Sequence, residues 1–203
     1  MRSVFPQVVQ PRPPTWRDFG APAATLPELT DGPDDKEAFE AVFAEFGEAV
    51  FRYALRRLAN QVDAEDVVAE TFAVAWRRWA VVPNGRELPW LYGVARRVIA
   101  NQRRSSGRRL RLRSRLSAEP EAHAQPAAIG EHGAALEVLA MLSAGDQEVL
   151  RLVLWEELPT ADVAEALGIK EAAVYVRLHR ARQRFAARYE QFQQERRETE
   201  GEA

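Results

Sequence analysis

From Asp34 onward the apolar residues of this chain recur at steps of three and four, and nowhere do they settle into steps of two. In "DDKEAFEAVFAEFGEAVFRYALRRLA", Phe39, Val42, Phe43, Phe46, Val50, Tyr53, Ala54 and Leu58 fall on one stripe of a helix. Aspartates stand ahead of that stripe, where a cap is needed. After "NQV", Asp63 is expected to cap a second helix in "AEDVVAETFAVAWRRWA", with Val68, Phe72, Ala75, Trp76 and Trp79 inward. Pro83, Asn84, Gly85 and Pro89 break the chain in "VVPNGRELP". "WLYGVARRVIANQRR" then turns Leu91, Val94, Ala95, Val98 and Ile99 to one side. With no competing strand pattern, the expected fold class is all-α, and three such helices can share one core. Residues 34–105 therefore read as a first helical domain.

The periodicity lapses over "SAEPEAHAQPAAIGEHG", so residues 106–133 are expected to form a flexible linker. It resumes at Ala134 with "ALEVLAMLSAGDQEVLRLVLWEEL", two short helices around Ser143 to Asp146, and continues to about residue 192. Residues 193–203 read as a polar tail. Residues 1–33 hold seven of the twelve prolines and no periodicity. They read as a flexible tail, either dispensable or a docking segment for a partner. The expected architecture is thus two small helical bundles on a tether.

The second bundle contains a helix, a turn and a helix. Thr160 is placed to cap the first, whose Val163, Ala164 and Leu167 face inward, and Gly168 can supply the positive φ of a tight turn. Ile169 fills the corner. The second helix buries Val174, Leu178, Ala181 and Phe185, which leaves Lys170, Tyr175, Arg177, His179, Arg180, Arg182 and Arg184 on its other faces. A DNA-binding helix-turn-helix presents such a helix to the major groove, where side chains near its start reach bases and flanking arginines neutralise phosphates. An ordinary helical corner with a solvated basic face is the alternative reading.

Charge is segregated along the chain although its net value is only −2. Residues 1–70 carry thirteen acids and seven bases, whereas Arg96 to Arg115 carries nine arginines and no acid. Arg96, Arg97, Arg103 and Arg104 stand off the apolar stripe of their helix, where they suit nucleic acid, an anionic membrane surface or plain solvent. Trp76, Trp79, Trp90 and Tyr92 have the spacing of core residues, with base stacking as the rival role. The acidic start of the second helix suits a basic protein partner, or simply the positive end of the helix dipole.

The absence of cysteine excludes disulfides, thiolate catalysis and cysteine-ligated zinc. No apolar run approaches the ~18 residues of a membrane span, and prolines interrupt "MRSVFPQVVQPRPP" before a signal sequence can form. A cytoplasmic protein without membrane insertion is expected. His123, His132 and His179 lack the spacing of a metal or catalytic cluster, so neither an enzyme nor a cofactor is expected.

In this order the pieces resemble the extracytoplasmic-function group of bacterial RNA polymerase sigma factors. "FRYALRRLANQVDAEDVVAETFAVAWRR" is similar to that family's region 2 entry, and "LPWLYGVARRVIANQRR" to its promoter-melting and minus-10-reading segment. "LSAGDQEVLRLVLWEELPTADVAEALGIKEAAVYVRLHRAR" is similar to its region 4. The resemblance implies a non-catalytic subunit that binds core RNA polymerase and promoter DNA. Asp63, Asp66 and Glu70 would face the beta-prime clamp helices, and region 4 the beta flap. The loop from Ala80 to Leu88, with Asn84 and Arg86, would capture a flipped base, and Arg96, Arg97, Asn101, Arg103 and Arg104 would hold the minus-10 strand. Lys170, Tyr175, Arg177, Arg180, Arg182 and Arg184 would read the minus-35 element. An anti-sigma factor is a further partner that members of the family have. The chain departs from the family at Ala69, where glutamine is usual, and at Tyr175 and Val176, where lysine and serine are common. A two-domain helix-turn-helix regulator acting without polymerase is the rival, separated by whether the first bundle binds polymerase or a signal.

Overall fold

The computed structural model describes the backbone of residues 33–58, 60–114 and 131–201, and the side chains of 35–58, 60–105 and 133–199. Most of the expected N-terminal tail and the middle of the expected linker lie outside the described residues, as do the His123 and His132 side chains. Among the described residues every regular element is helical. The α-helices are α1 (Pro33–Leu58), α2 (Gln61–Arg77), α3 (Glu87–Ser114), α4 (Glu131–Met141), α5 (Ala144–Leu154), α6 (Thr160–Leu167) and α7 (Glu171–Gly201), with a short 3-10 turn at Trp79–Val81.

The stripes read from the sequence are the buried faces. Val50, Tyr53 and Ala54 of α1 meet Val68, Phe72 and Ala75 of α2 and Leu91, Ala95 and Val98 of α3. Phe39 sits among Phe72, Trp76 and Trp79 with its ring edge-on to theirs at centroid distances of 5.0–6.2 Å. Phe72 is thus buried in the core of the first bundle, while Phe39, Trp76 and Trp79 form a half-buried cluster beside it. In the second, Val174, Leu178 and Ala181 of α7 pack on Val163 and Ala164 of α6 and Val149 and Leu152 of α5. Gly168 closes α6 in the left-handed region at φ 65°, which a residue without Cβ adopts at no steric cost.

Several local expectations are corrected. The cap of α2 is Asn60, whose extended backbone lets its side chain accept from Val62 N at 3.0 Å; Asp63 lies one turn further in. The cap position of α6 is Pro159, which has no side-chain acceptor, while the Thr160 hydroxyl bonds to Glu171 and Tyr175. Helix α3 continues past residue 105 to Ser114, and α7 runs past 192 to Gly201. Both extensions are rich in arginine, glutamate or glutamine, which favour helix without any apolar stripe.

The larger difference concerns the two bundles, which pack on each other. Helix α3 lies along α6, and the buried residues of both bundles join in one cluster. Gly93 makes the close approach possible, because a Cβ there would stand 3.2 Å from the Ala166 carbonyl oxygen. Expected as two bundles joined only by a tether, the molecule has a second, non-covalent joint.

Candidate functional site

Three charged surfaces were expected to act, and the fold treats each differently. At the start of α2, Asp63, Asp66 and Glu70 are all exposed. Asp63 receives a bond from Asn60 Nδ2 at 3.1 Å, which steadies the helix start. Asp66 and Glu70, four residues apart on one face, point outward as an acidic patch.

The recognition-helix candidate is α7. Val174, Leu178 and Ala181 anchor it, so Tyr175, Val176, Arg177, His179, Arg180 and Arg182 are left in solvent. Lys170 is exposed at the turn before it. Tyr175 is 58% exposed, and its hydroxyl lies 3.1 Å from Thr160 Oγ1, which holds the ring beside the start of α6. Arg177, Arg180 and Arg182 have no acidic partner among the described residues. Arg184 departs from that set. Its Nη1 donates to both oxygens of Asp146 at 2.9 Å, and Asp146 belongs to the cap of α5 through Ser143. Arg184 thus braces α7 against α5, with its side chain still more than half exposed.

The basic residues around α3 are divided. Asn84, Arg97, Asn101, Arg103 and Arg104 are exposed, although Arg104 bonds to Asn101 and Arg103 Nη2 donates to the Arg57 carbonyl at 2.6 Å. Arg86 and Arg96 face the second bundle. Arg86 Nη2 donates to Asp162 Oδ1 at 2.9 Å and to the Ala161 carbonyl at 2.8 Å. Arg96 reaches the Leu167 carbonyl through Nη2 at 3.3 Å, while its Nε is buried without an acceptor.

Sequence reasoning missed a buried, highly connected arginine between the two bundles. Arg57, 8% exposed, lies at the end of α1 and faces the second bundle. Its Nε and Nη2 donate to the two oxygens of Glu148 at 3.0 Å each, in a parallel fork. Its Nη1 donates at 3.0 Å both to Glu156 and to the Tyr53 carbonyl. The guanidinium stacks over the Tyr53 ring, 3.4 Å from its centroid, and the Tyr53 hydroxyl donates to Glu148 at 2.7 Å. Arg56 pairs with the other oxygen of Glu156. Burial alone would lower the Arg57 pKa, but Tyr53, Glu148 and Glu156 together raise it. Burial, then the Glu148 charge, pushes Tyr53 well above the ordinary phenol range. Tyr92, stacked on Tyr53 at 4.7 Å, is pushed up to about 12 by burial and then Glu156. Nothing in the sequence marks Arg57, since it follows Arg56 on an amphipathic helix and its acidic partners lie more than ninety residues away.

Among the described residues no group of three or more His, Cys, Asp or Glu could hold a metal ion, and no described helix is long and apolar enough to cross a membrane.

The first bundle and the helix-turn-helix each match a known family. Residues 42–109 match the Sigma-70 region 2 family, and residues 132–185 match Sigma-70, region 4. Over 150 residues the chain is 34% identical to the ECF RNA polymerase sigma factor SigL of Mycobacterium tuberculosis, covering 70% of this chain and 82% of that protein. With the ECF RNA polymerase sigma factor BldN of Streptomyces coelicolor it shares 28% identity over 154 residues, or 72% of this chain and 58% of BldN. The fold is similar to that of the sigma factor RpoE of Bartonella quintana, solved with the anti-sigma factor NepR. That likeness has a TM-score of 0.58 and 24% identity, covering 76% of this chain and 98% of RpoE. The chain belongs to the extracytoplasmic-function family of RNA polymerase sigma factors. Membership carries binding to core RNA polymerase and promoter-specific initiation of transcription, a role with no chemical step of its own.

Proposed function

We propose that this factor docks core polymerase through the Asp66 and Glu70 face of α2, reads a minus-10 element with the α3 side of the first bundle, and reads a minus-35 element with α7. The observation that carries the reading is the exposure of Arg177, Arg180 and Arg182, none with an acidic partner among the described residues, on the second helix of a helix-turn-helix, together with exposed Tyr175 and Val176 near its start. Phosphate contacts from such arginines set position and affinity, and residues near the helix start read base edges. In the first bundle, Asn84 and Arg86 sit in the loop before α3, where a base taken out of its stack would be held, and Arg97, Asn101, Arg103 and Arg104 follow the strand. Melting then draws on contacts made only to the opened strand. An anti-sigma factor that covers either surface would silence the protein, as NepR is a partner of RpoE.

The test is run-off transcription with purified core polymerase on fragmented genomic DNA, mapping transcript 5′ ends. New discrete starts sharing two spaced upstream motifs are expected. An absence of new starts, together with specific duplex binding by the protein alone, would replace this reading with that of a polymerase-independent regulator.

A further inference from the structure

Three side chains meet where α6 and α7 begin. Thr160 Oγ1, on the first residue of α6, lies 3.0 Å from Glu171 Oε1 and 3.1 Å from the Tyr175 hydroxyl. Each hydroxyl owns one proton, and a carboxylate owns none. Thr160 therefore donates its proton to Glu171, and the phenol donates its own to Thr160 Oγ1. The relay runs one way, from Tyr175 through Thr160 to Glu171, because it ends on a group that only accepts. What Tyr175 has left for a partner is the lone pair of its oxygen, on a residue that is 58% exposed.

We propose that Tyr175 reads the minus-35 element as a fixed hydrogen-bond acceptor that selects an exocyclic amine, and that Thr160 and Glu171 are positioning residues that set this polarity. The inference deepens the sigma-factor reading above and rests on it. In the major groove the amines are adenine N6 and cytosine N4, whereas guanine O6 and N7, adenine N7 and thymine O4 accept. A phenol with no internal partner serves either kind of edge, since it turns its proton toward an acceptor or its lone pair toward a donor. The relay removes the first option. A lysine at this position would carry donors only and select the opposite set of atoms.

The surroundings hold the relay in place. Val174 and Leu178, on either side of Tyr175 in the sequence, are buried against the core, and Gly168 closes the turn that brings α7 back beside the start of α6. No lysine or arginine pairs with Glu171 among the described residues, which leaves its carboxylate to Thr160. The next residue, Val176, is 49% exposed and has no polar side-chain atom, so of this adjacent pair Tyr175 alone can hydrogen-bond a base edge. An arriving amine finds its acceptor already oriented. A base acceptor meets an oxygen whose proton is committed, and serving it would break the bond to Thr160.

The test uses holoenzyme assembled from core polymerase and the full chain, on promoters taken from the mapped transcript starts. Substituting each minus-35 base pair in turn, with wild type and with Tyr175→Phe, finds the pair whose identity matters only when the hydroxyl is present. At that pair, purine in place of adenine, or 2-pyrimidinone in place of cytosine, removes the amine. The 7-deaza purines remove N7 and keep the amine. Wild-type binding should fall about 3- to 10-fold on loss of the amine and stay level on loss of N7. Tyr175→Phe on the same promoters should be indifferent to both, which controls for changes in the duplex itself. Thr160→Val, which takes away the phenol's acceptor, should shrink the amine penalty to less than about 2-fold, and Thr160→Ser should keep it whole. Glu171→Ala, which frees the Thr160 proton, should also shrink it. A wild type indifferent to the amine, a penalty unmoved by Thr160→Val, or no base pair that depends on Tyr175 would each overturn the proposal. Arg177→Ala with Arg180→Ala reports on the underlying reading. If that variant weakens minus-35 binding while the amine proves irrelevant, only this inference is lost.

Discussion

Two rows of arginine in this molecule look alike in sequence and have opposite fates. On α7, Arg177, Arg180 and Arg182 project into solvent because Val174, Leu178 and Ala181 occupy the buried stripe, and among the described residues no carboxylate pairs with them. Around α3, Arg86 and Arg96 are turned into the other bundle, and Arg103 braces the end of α1 through the Arg57 carbonyl. An arginine with open donors is available to phosphate, whereas one whose donors already end on carboxylates or carbonyls must first leave them. Basic character alone therefore does not locate a DNA surface. The hydrogen-bond partners do.

Substitutions sort these charges by whether folding or binding responds. The largest effect is expected at Arg57→Ala, which leaves Glu148 without its cation between the bundles, while Glu156 keeps Arg56, and should cost about 3–5 kcal/mol in urea unfolding. A loss below about 1 kcal/mol would mean that the cluster is no more than a surface pair. Asp66→Arg with Glu70→Arg should abolish core polymerase binding while helicity stays intact by circular dichroism, since both groups are exposed and neither pairs with a cation among the described residues. Retained binding would move the docking face elsewhere. Arg177→Ala with Arg180→Ala should weaken binding to minus-35 duplex and lower the salt slope by about 2, at unchanged thermal stability. Arg184→Ala should do the reverse, leaving the salt slope alone and destabilising the second bundle by at most about 1 kcal/mol, because the pair with Asp146 is more than half exposed on the arginine side. Equal slopes for Arg184→Ala and Arg180→Ala would erase the distinction between strut and contact.

The joint between the bundles also has a pH signature. Tyr53 and Tyr92 both have folded-state pKa values raised above the ordinary phenol. Their neutral forms stabilise the fold fully below pH about 10, the unfolded value, and that contribution is lost as pH rises further, for Tyr92 through about 12. Stability should fall over this alkaline range, and replacing Tyr92 by Phe should flatten the fall. Ultraviolet difference titration alongside unfolding measures both.

Much of this was legible from spacing. The core stripes of α1, α2, α3 and α7, and the turn at Gly168, follow from apolar periodicity and one residue able to take positive φ. Local chemistry was less decisive at helix starts, where Asn60 rather than Asp63 caps α2 because the cap must have an extended backbone, a property no side chain advertises. The polar ends of α3 and α7 carry helix without a stripe and so escaped a reading that rests on stripes. Arg57 and Arg184 were illegible for a different reason. Each gains its meaning from a carboxylate distant in sequence, and only the packing of α1 on the α5 turn, or α7 on the start of α5, brings the pair together.

The contact of Gly93 with the Ala166 carbonyl gives the joint an adjustable thickness. At 3.2 Å an added methyl forces the helices apart by a few tenths of an ångström, and a branched side chain forces them further. A series running from glycine through alanine to valine at this one position would act as a set of graduated wedges. The spacing between the two bundles is thus set by side-chain size at a single position.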